Sequence, residues 1–594
     1  MFGEYFDAHP LEPLLIGAPV RLFPTFDDRA AWEGIAPADR ADVLALADRY
    51  RAVPYPLCAA TQFMAFVRDG SRIAYEDPYF LRRRKLIAAL LDCCVNGNTD
   101  GLDQVIDGLW CVCEETSWVI SAHNGGPEPL PDPENPVIDL FAAQTAMILS
   151  LICDMLAGQL DAATPLLRRR IGREIRHRVL TPFMTRDDYW WMGFTRRDLC
   201  NWTPWIVSNV LTAACVWSES ASELAALTDR ALRMVDRWLD VVPEDGGCDE
   251  GAGYWNMAGG ALLDCLTLLE RMTDGRASFW DVPKVRAVLS FPQKAELANG
   301  WFVNFADCDA RPMLSGERLQ TAGERFGDES LRIMGVAYRG TPSDQIADVP
   351  HLTRLLMRLF HPAADTPVRV GGHRDVWLPD LQLRVYEKSG LLLCCKGGHN
   401  GESHNHNDVG SFILYADGRP AIVDAGNMVY TAKTFSGGRY TLWNTRSAYH
   451  NVPMIGDREQ QPGPEHAARG VHATPDGLRL DMAAAYDPGA GVLRLKRAMA
   501  VGEGRFTLTD DIALRASRPV TWVFLLREKP ELHENAAAFS GLRMRFDSSL
   551  SAAVEEIPVT DPRMARNYPG SLWRLTLAAQ AAMNHRQRFE ITQD

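Results

Sequence analysis

From about Asp27 to Phe360 apolar residues recur at three- and four-residue steps, the spacing that lines one face of an α-helix. The stretches ADRADVLALADRY, NPVIDLFAAQTAMILSLICDMLAG, PLLRRRIGREIRHRVLTPFM and ASELAALTDRALRMVDRWLDVV carry it most clearly. Several are followed by Gly, Pro or Asn, the residues that stop helices. Successive helices of similar length suit either an open solenoid or a closed toroid. No fixed-period repeat runs through them, so a helical (α/α) toroid over residues 1–365 is the expectation.

From about Val368 the texture changes to short alternating runs, among them VWLPDLQLRVYEKSGLLLCCKGG, GSFILYADGRPAIVDAG, GLRLDMAAAYD, GVLRLKRAMAVGEGRFTLTDDIAL and PVTWVFLLREK. Asp417-Gly418 and the run Gly502 to Gly504 punctuate them as turns, the pattern of an antiparallel β-sandwich. The second domain is expected over 366–594, with Pro362 to Asp375 reading as a linker. The fold class is therefore α+β multidomain, helical toroid first and sandwich second.

A chain of 594 residues is too long for one core. Its 46% apolar and 23% charged content is that of a globular protein. The net charge of -14 argues against a nucleic-acid partner, which would select a basic surface. It does not exclude an acidic sugar, because a local cluster of Arg, Lys and His can bind one. The N-terminal stretch lacks the form of a secretory signal, and no run has the length of a membrane span. Thirteen cysteines, an odd number with neighbours such as Cys93-Cys94, fit a reducing compartment. A cytoplasmic protein without a membrane partner is the expectation, with a second copy of the chain as a further candidate partner.

The chemistry concentrates between Gly398 and Asn451, where His404, His406, Asp408, Asp424 and His450 fall among predicted hairpins. If that segment is extended, His404 and His406 share a face as an i, i+2 pair. With Asp424 and His450 they make a zinc-like ligand set. Polar Asn405, Asn407 and Asp408 cluster with them, and Asn407 and Asp408 are candidate supports of the site. In the helical half, aromatic residues gather in DDYWWMGFTRRDLCNWTPW and GYWNM, as helix packing or as sugar platforms.

The segment KGGHNGESHNHNDVGSFILYADGRPAIVDAG, with RYTLWNTRSAYHN after it, resembles the heparinase II/III family of polysaccharide lyases. The resemblance is close over residues 396 to 456 and loose over most of the chain. It implies a helical toroid joined to a β-sandwich, an anionic uronate-containing oligo- or polysaccharide as substrate, and one structural Zn²⁺ held by His406, Asp424 and His450. It implies His404 as the catalytic histidine and Tyr440 as a tyrosine beside the site. NWTPW and DEGAGYWNMAGG resemble the family's asparagine and tyrosine motifs, giving Asn201 and Tyr254, so that the catalytic set draws on both domains. Some alginate-acting members carry a histidine right after that asparagine, where this chain has Trp202. Either His404 alone supplies the imidazole, or His123 in SWVISAHNGG fills the gap. His123, Arg197, Trp202 and Trp255 are the substrate-binding candidates, with Arg196 beside Arg197 able to pair with a uronate or sulfate.

β-Elimination removes the C5 proton of a uronide, neutralises its carboxylate and protonates the departing O4. Asn201 can donate to the carboxylate. Tyr254 can serve as base and acid once nearby charge or hydrogen bonds bring it below a phenol's usual value of about 10. His404, with a reference value of about 6.5, supports it or acts as base for the opposite epimer. Three rivals stand beside the lyase. HNHND echoes binuclear zinc hydrolases but continues with Val409. Asp249 and Glu250 could be the carboxylates of a glycoside hydrolase. A non-catalytic sugar binder would keep the aromatics yet need neither Tyr254 nor His404.

Overall fold

The computed structural model describes residues 1–593 apart from 127, 299 and 364–374. Most of the expected linker lies outside the described residues. The chain divides into two compact units. One comprises Met1–Val242, Asn256–Leu289 and Ser315–Arg369, and the other comprises Pro243–Trp255, Ser290–Leu314 and Val370–Asp594. Two short stretches of the helical half of the sequence therefore fold with the sheet.

In the first unit, helices Leu140–Met155 and Trp202–Trp217 are apolar around nearly their whole circumference and are buried along it. Helix Ala221–Val241 is amphipathic and buries one stripe. The first and third of these helices have side-chain caps: Asp139 accepts from Phe141 N and Ala142 N, and Ser220 accepts from Glu223 N. The stretch PLLRRRIGREIRHRVLTPFM forms Pro165–Ile175 and Thr181–Thr185 with one π-helical segment, Arg176–Leu180, between them. Among the described residues no single helix is long and apolar enough to cross a membrane.

Among the described residues the second unit is built on a fifteen-stranded antiparallel sheet. Its spine is the pair Arg505–Leu526 and Ser571–Gln593, which runs from Arg505↔Thr592 to Leu526↔Trp573 with register shifts between Ala513 and Val520. Val492–Gly502 flanks the first of these, and Arg419–Ile422 joins at Leu526↔Ile422 to continue through Phe412–Ala416, Leu391–Lys396, Leu383–Lys388 and Asp375–Leu378. Gly477–Asp481 and Val492–Gly502 lie against Leu383–Lys388 and Leu391–Lys396 without pairing to them, so the sheet doubles over into two layers. The core between them holds Leu393, Phe412, Leu414, Leu495, Phe506, Leu508, Trp522 and Phe589. Strands buried on both faces, such as Leu391–Lys396, show no alternation, whereas Val492–Gly502 alternates. At the hairpin tip Asp417 and Gly418 both take positive φ, 48° and 74°, as the two-residue turn read from the sequence requires.

Candidate active site and metal centre

The loop from Glu402 to Gly410 carries the histidines, and it is not a strand. His404 has φ +54°, a left-handed conformation that a non-glycine residue holds only when its surroundings enforce it. Those surroundings are charged. Lys396, buried on its strand, donates to Glu402 Oε2 and Asp408 Oδ1, both at 3.0 Å, and so ties down both ends of the loop. Arg439 donates to the carbonyls of His404 at 2.7 Å and Asn405 at 2.9 Å. Asp249 accepts from Ser403 N at 3.0 Å. The two histidines are joined by a carboxylate, not by a shared strand face.

That carboxylate is Asp307. His404 Nδ1 lies 2.9 Å from its Oδ2, His406 Nε2 lies 3.0 Å from its Oδ1, and Arg439 pairs with Oδ2 at 2.9 Å. Burial would raise the Asp307 carboxyl, but the bonds from His404 and His406 and the charge of Arg439 hold it well below the usual range. The residue before it, Ala306, also takes a positive φ of 60°. Burial lowers His404, yet the bond to Asp307 and the charges of Glu250 and Asp307 leave it above its ordinary value. With Nδ1 turned to Asp307, Nε2 points toward Glu250, whose Oε2 lies 3.6 Å away.

Tyr254 sits against this imidazole, with ring centroids 4.9 Å apart and planes tilted by 36°. Its hydroxyl is hydrogen-bonded to a second phenol, Tyr430, which lies 3.2 Å from His404 Nδ1. Burial, and after it Tyr430, push the Tyr254 phenol well above its usual range, with the Arg563 charge acting in the opposite direction; this is the reverse of the lowering expected from the sequence. Tyr440 is placed one residue along, accepting from Asn405 Nδ2 at 3.2 Å.

Behind the loop, His406, Asp424 and His450 are completely buried and bring ligand atoms within 4.8 Å of one another. His450 Nδ1 lies 2.8 Å from Asp424 Oδ2. His406 Nδ1 and His450 Nε2 have no hydrogen-bond partner among the described residues, although both are buried. Two orphaned imidazole nitrogens beside a buried carboxylate are what a zinc ion would satisfy, and the second ring nitrogen of His406 is held by Asp307, as in ligated histidines. The residues fit the ion.

In the helical unit, Asn201 is buried at the start of helix Trp202–Trp217. His123 points Nδ1 at the fully buried Asp139, 2.8 Å away, and its ring lies 4.7 Å from that of Trp202. Arg197 is exposed, and Arg196 is committed to Asp198 and to the Trp190 ring. Trp255 is only 1% exposed, so its indole is taken up by packing and offers no open face to a sugar; here the structure corrects the sequence expectation. The sequence reading missed Asp307, Arg439 and Tyr430, and weighed Glu250 only as a hydrolase carboxylate. Tyr430 lies six positions after Asp424 in DAGNMVY, a detectable signal, whereas Asp307 is one acid among 76 with none.

A helical array followed by a two-layer antiparallel sheet is the toroid-plus-sandwich architecture shared with the solved structures below. Residues 372–581 match the family profile "Heparinase II/III-like, C-terminal". Among solved structures the chain is similar to a heparinase III, with TM-score 0.62 and 13% identity over 95% of this chain and 93% of that one. It is similar to the heparan sulfate lyase HepC from Pedobacter heparinus, with TM-score 0.57 and 11% identity over 93% and 88%. A chondroitin AC lyase from Streptomyces coelicolor A3 gives 0.56 and 12% over 96% and 82%. No curated protein matches the sequence.

Proposed function

We propose that this protein is a polysaccharide lyase that cleaves uronate-containing glycans, of the glycosaminoglycan type named in its structural relatives, by β-elimination. The observation that carries the reading is the contact of Tyr254 with His404, the latter oriented by Asp307. In the reaction the C5 proton passes to the phenolate or the imidazole, the C5–H electrons form the C4=C5 double bond, and the C4–O4 bond breaks as O4 receives a proton. Tyr254 holds both the abstracting and the donating position for one epimer, and His404 Nε2 takes the base role for the other. A zinc ion at His406, Asp424 and His450 would be structural, crosslinking the histidine loop to the segments bearing Asp424 and His450.

The test is a panel of uronide oligosaccharides followed by ultraviolet absorbance of the 4,5-unsaturated end. Hydrolysis leaves no such chromophore, and a binder leaves the glycan intact. Tyr254→Phe is expected to abolish the absorbance increase with folding and metal content retained; full activity in that variant removes Tyr254 from the mechanism.

A further inference from the structure

Tyr430 lies outside every role assigned above, yet its hydroxyl is the direct partner of the Tyr254 hydroxyl. Three independent contacts fix it. Its oxygen lies 3.2 Å from His404 Nδ1, and its ring stacks on His404 at 5.8 Å. The Arg563 guanidinium stands 5.3 Å from its ring centre and is itself paired with Asp309 at 3.0 Å. Asp561 both caps the short helix carrying Arg563 and accepts from Val429 N at 3.0 Å, which ties the Tyr430 backbone to that helix. This is a supported group, not a surface phenol that happens to be near.

The polarity of the chain follows from the carboxylate. Asp307 can only accept, so His404 Nδ1 carries its hydrogen toward Asp307 and Tyr430. An oxygen that faces an N–H on one side turns its own hydrogen to the other side, toward Tyr254. We propose that Tyr430 is a positioning residue for the elimination, its O–H donating to the Tyr254 oxygen so that the phenolate formed there is stabilised and the second lone pair of Tyr254 faces the sugar. The inference rests on the lyase reading and deepens it. The groups that face the two phenols are His404, Glu250, Asp307 and Arg563, with Asp309 behind the last.

The measurement is steady-state kinetics of Tyr430→Phe on the oligosaccharide that gives the unsaturated product, with the pH profile of kcat. A hydrogen bond to a charged group is worth roughly a ten- to hundredfold change. We expect kcat to fall by about that factor with KM nearly unchanged, and the rise of kcat with pH to move upward because the phenolate has lost its donor. Incorporating 3-fluorotyrosine at 430, which keeps the shape and strengthens the donor, should move the same rise to lower pH. It also guards against a Phe variant that does not fold. An unchanged kcat and profile in both variants overturns the proposal, as does a raised KM with unaltered kcat, which would make Tyr430 a substrate contact. Activity in Tyr254→Phe overturns the underlying lyase assignment instead, whatever Tyr430 does, so the two failures are distinguishable.

Discussion

Replacing Asp307 by Asn tests the centre of the site with almost no change of shape. The carboxylate serves His404 Nδ1 at 2.9 Å, His406 Nε2 at 3.0 Å and Arg439 at 2.9 Å, with a side chain only 2% exposed. An amide has one accepting oxygen, so its NH₂ must confront one of those three donors. Loss of a single charge-assisted bond costs about 1.5–3 kcal/mol, and stripping a buried cation of its partner costs about 3–5 kcal/mol. Arg439 keeps the carbonyls of His404, Asn405 and Thr434, which places the total near the lower end, about 3 kcal/mol. The share that falls on the orientation of His404 corresponds to roughly a ten- to hundredfold lower kcat. The share that falls on His406 should weaken zinc about 10- to 100-fold, the usual effect of losing a carboxylate behind a ligating histidine. Initial rates at saturating substrate and competitive chelator titration read the two separately. An Asp307→Asn protein with normal kcat and normal zinc affinity would refute the argument, even if its stability had dropped.

Two further outcomes follow from buried groups elsewhere. If the proposed zinc ion is held at His406, Asp424 and His450, chelation or His450→Ala should lower the unfolding temperature, because the buried nitrogens of His406 and His450 have no hydrogen-bond partner among the described residues; an unchanged melting curve after verified metal removal counts against a structural ion. In the helical unit His351 is 3% exposed, and burial, aided by the charges of Arg354 and Arg318, holds it well below its ordinary value. Below pH about 6.5 the unfolded chain therefore binds a proton that the folded chain does not, and stability falls as pH drops, by up to about 1.4 kcal/mol per pH unit from this group. Comparing urea midpoints from pH 7.5 to 5.5, His351→Gln should show a shallower decline than the parent, and parallel declines would remove His351 as a source of it.

Local rules made much of the fold legible. Three- and four-residue periodicity marked Leu140–Met155 and Ala221–Val241, and Asp417-Gly418 marked a turn whose two positive φ values few other pairs accept. The sequence misled where the rule was right but overridden. The sequence reads GVLRLKRAMAVGEGRFTLTDDIAL and PVTWVFLLREK as separate runs, with Pro519 at the start of the second. The structure runs a single strand from Arg505 to Leu526 and places the proline at a register irregularity between Arg518 and Val520, where no ladder bond is required of it. Long-range membership was likewise invisible, since nothing local says that Pro243–Trp255 and Ser290–Leu314 fold with the sheet unit.

The site divides along the same line. His404, His406, Asp424 and His450 stand close in sequence and could be gathered from spacing, but the residue that makes them one system is Asp307, about a hundred positions upstream. Its two oxygens take one histidine each, so the imidazole beside Tyr254 and the imidazole of the ligand triad are positioned by a single buried carboxylate. A displacement of His406 is thereby transmitted to His404 through one rigid group, and neither ring can be reoriented without leaving a buried acceptor short. The left-handed backbone at both Ala306 and His404 has its reason here: each chain is held off its relaxed path so that the carboxylate and both rings meet. A structural ion behind such a carboxylate would govern activity without touching substrate, because what it fixes is the direction in which His404 presents its free nitrogen.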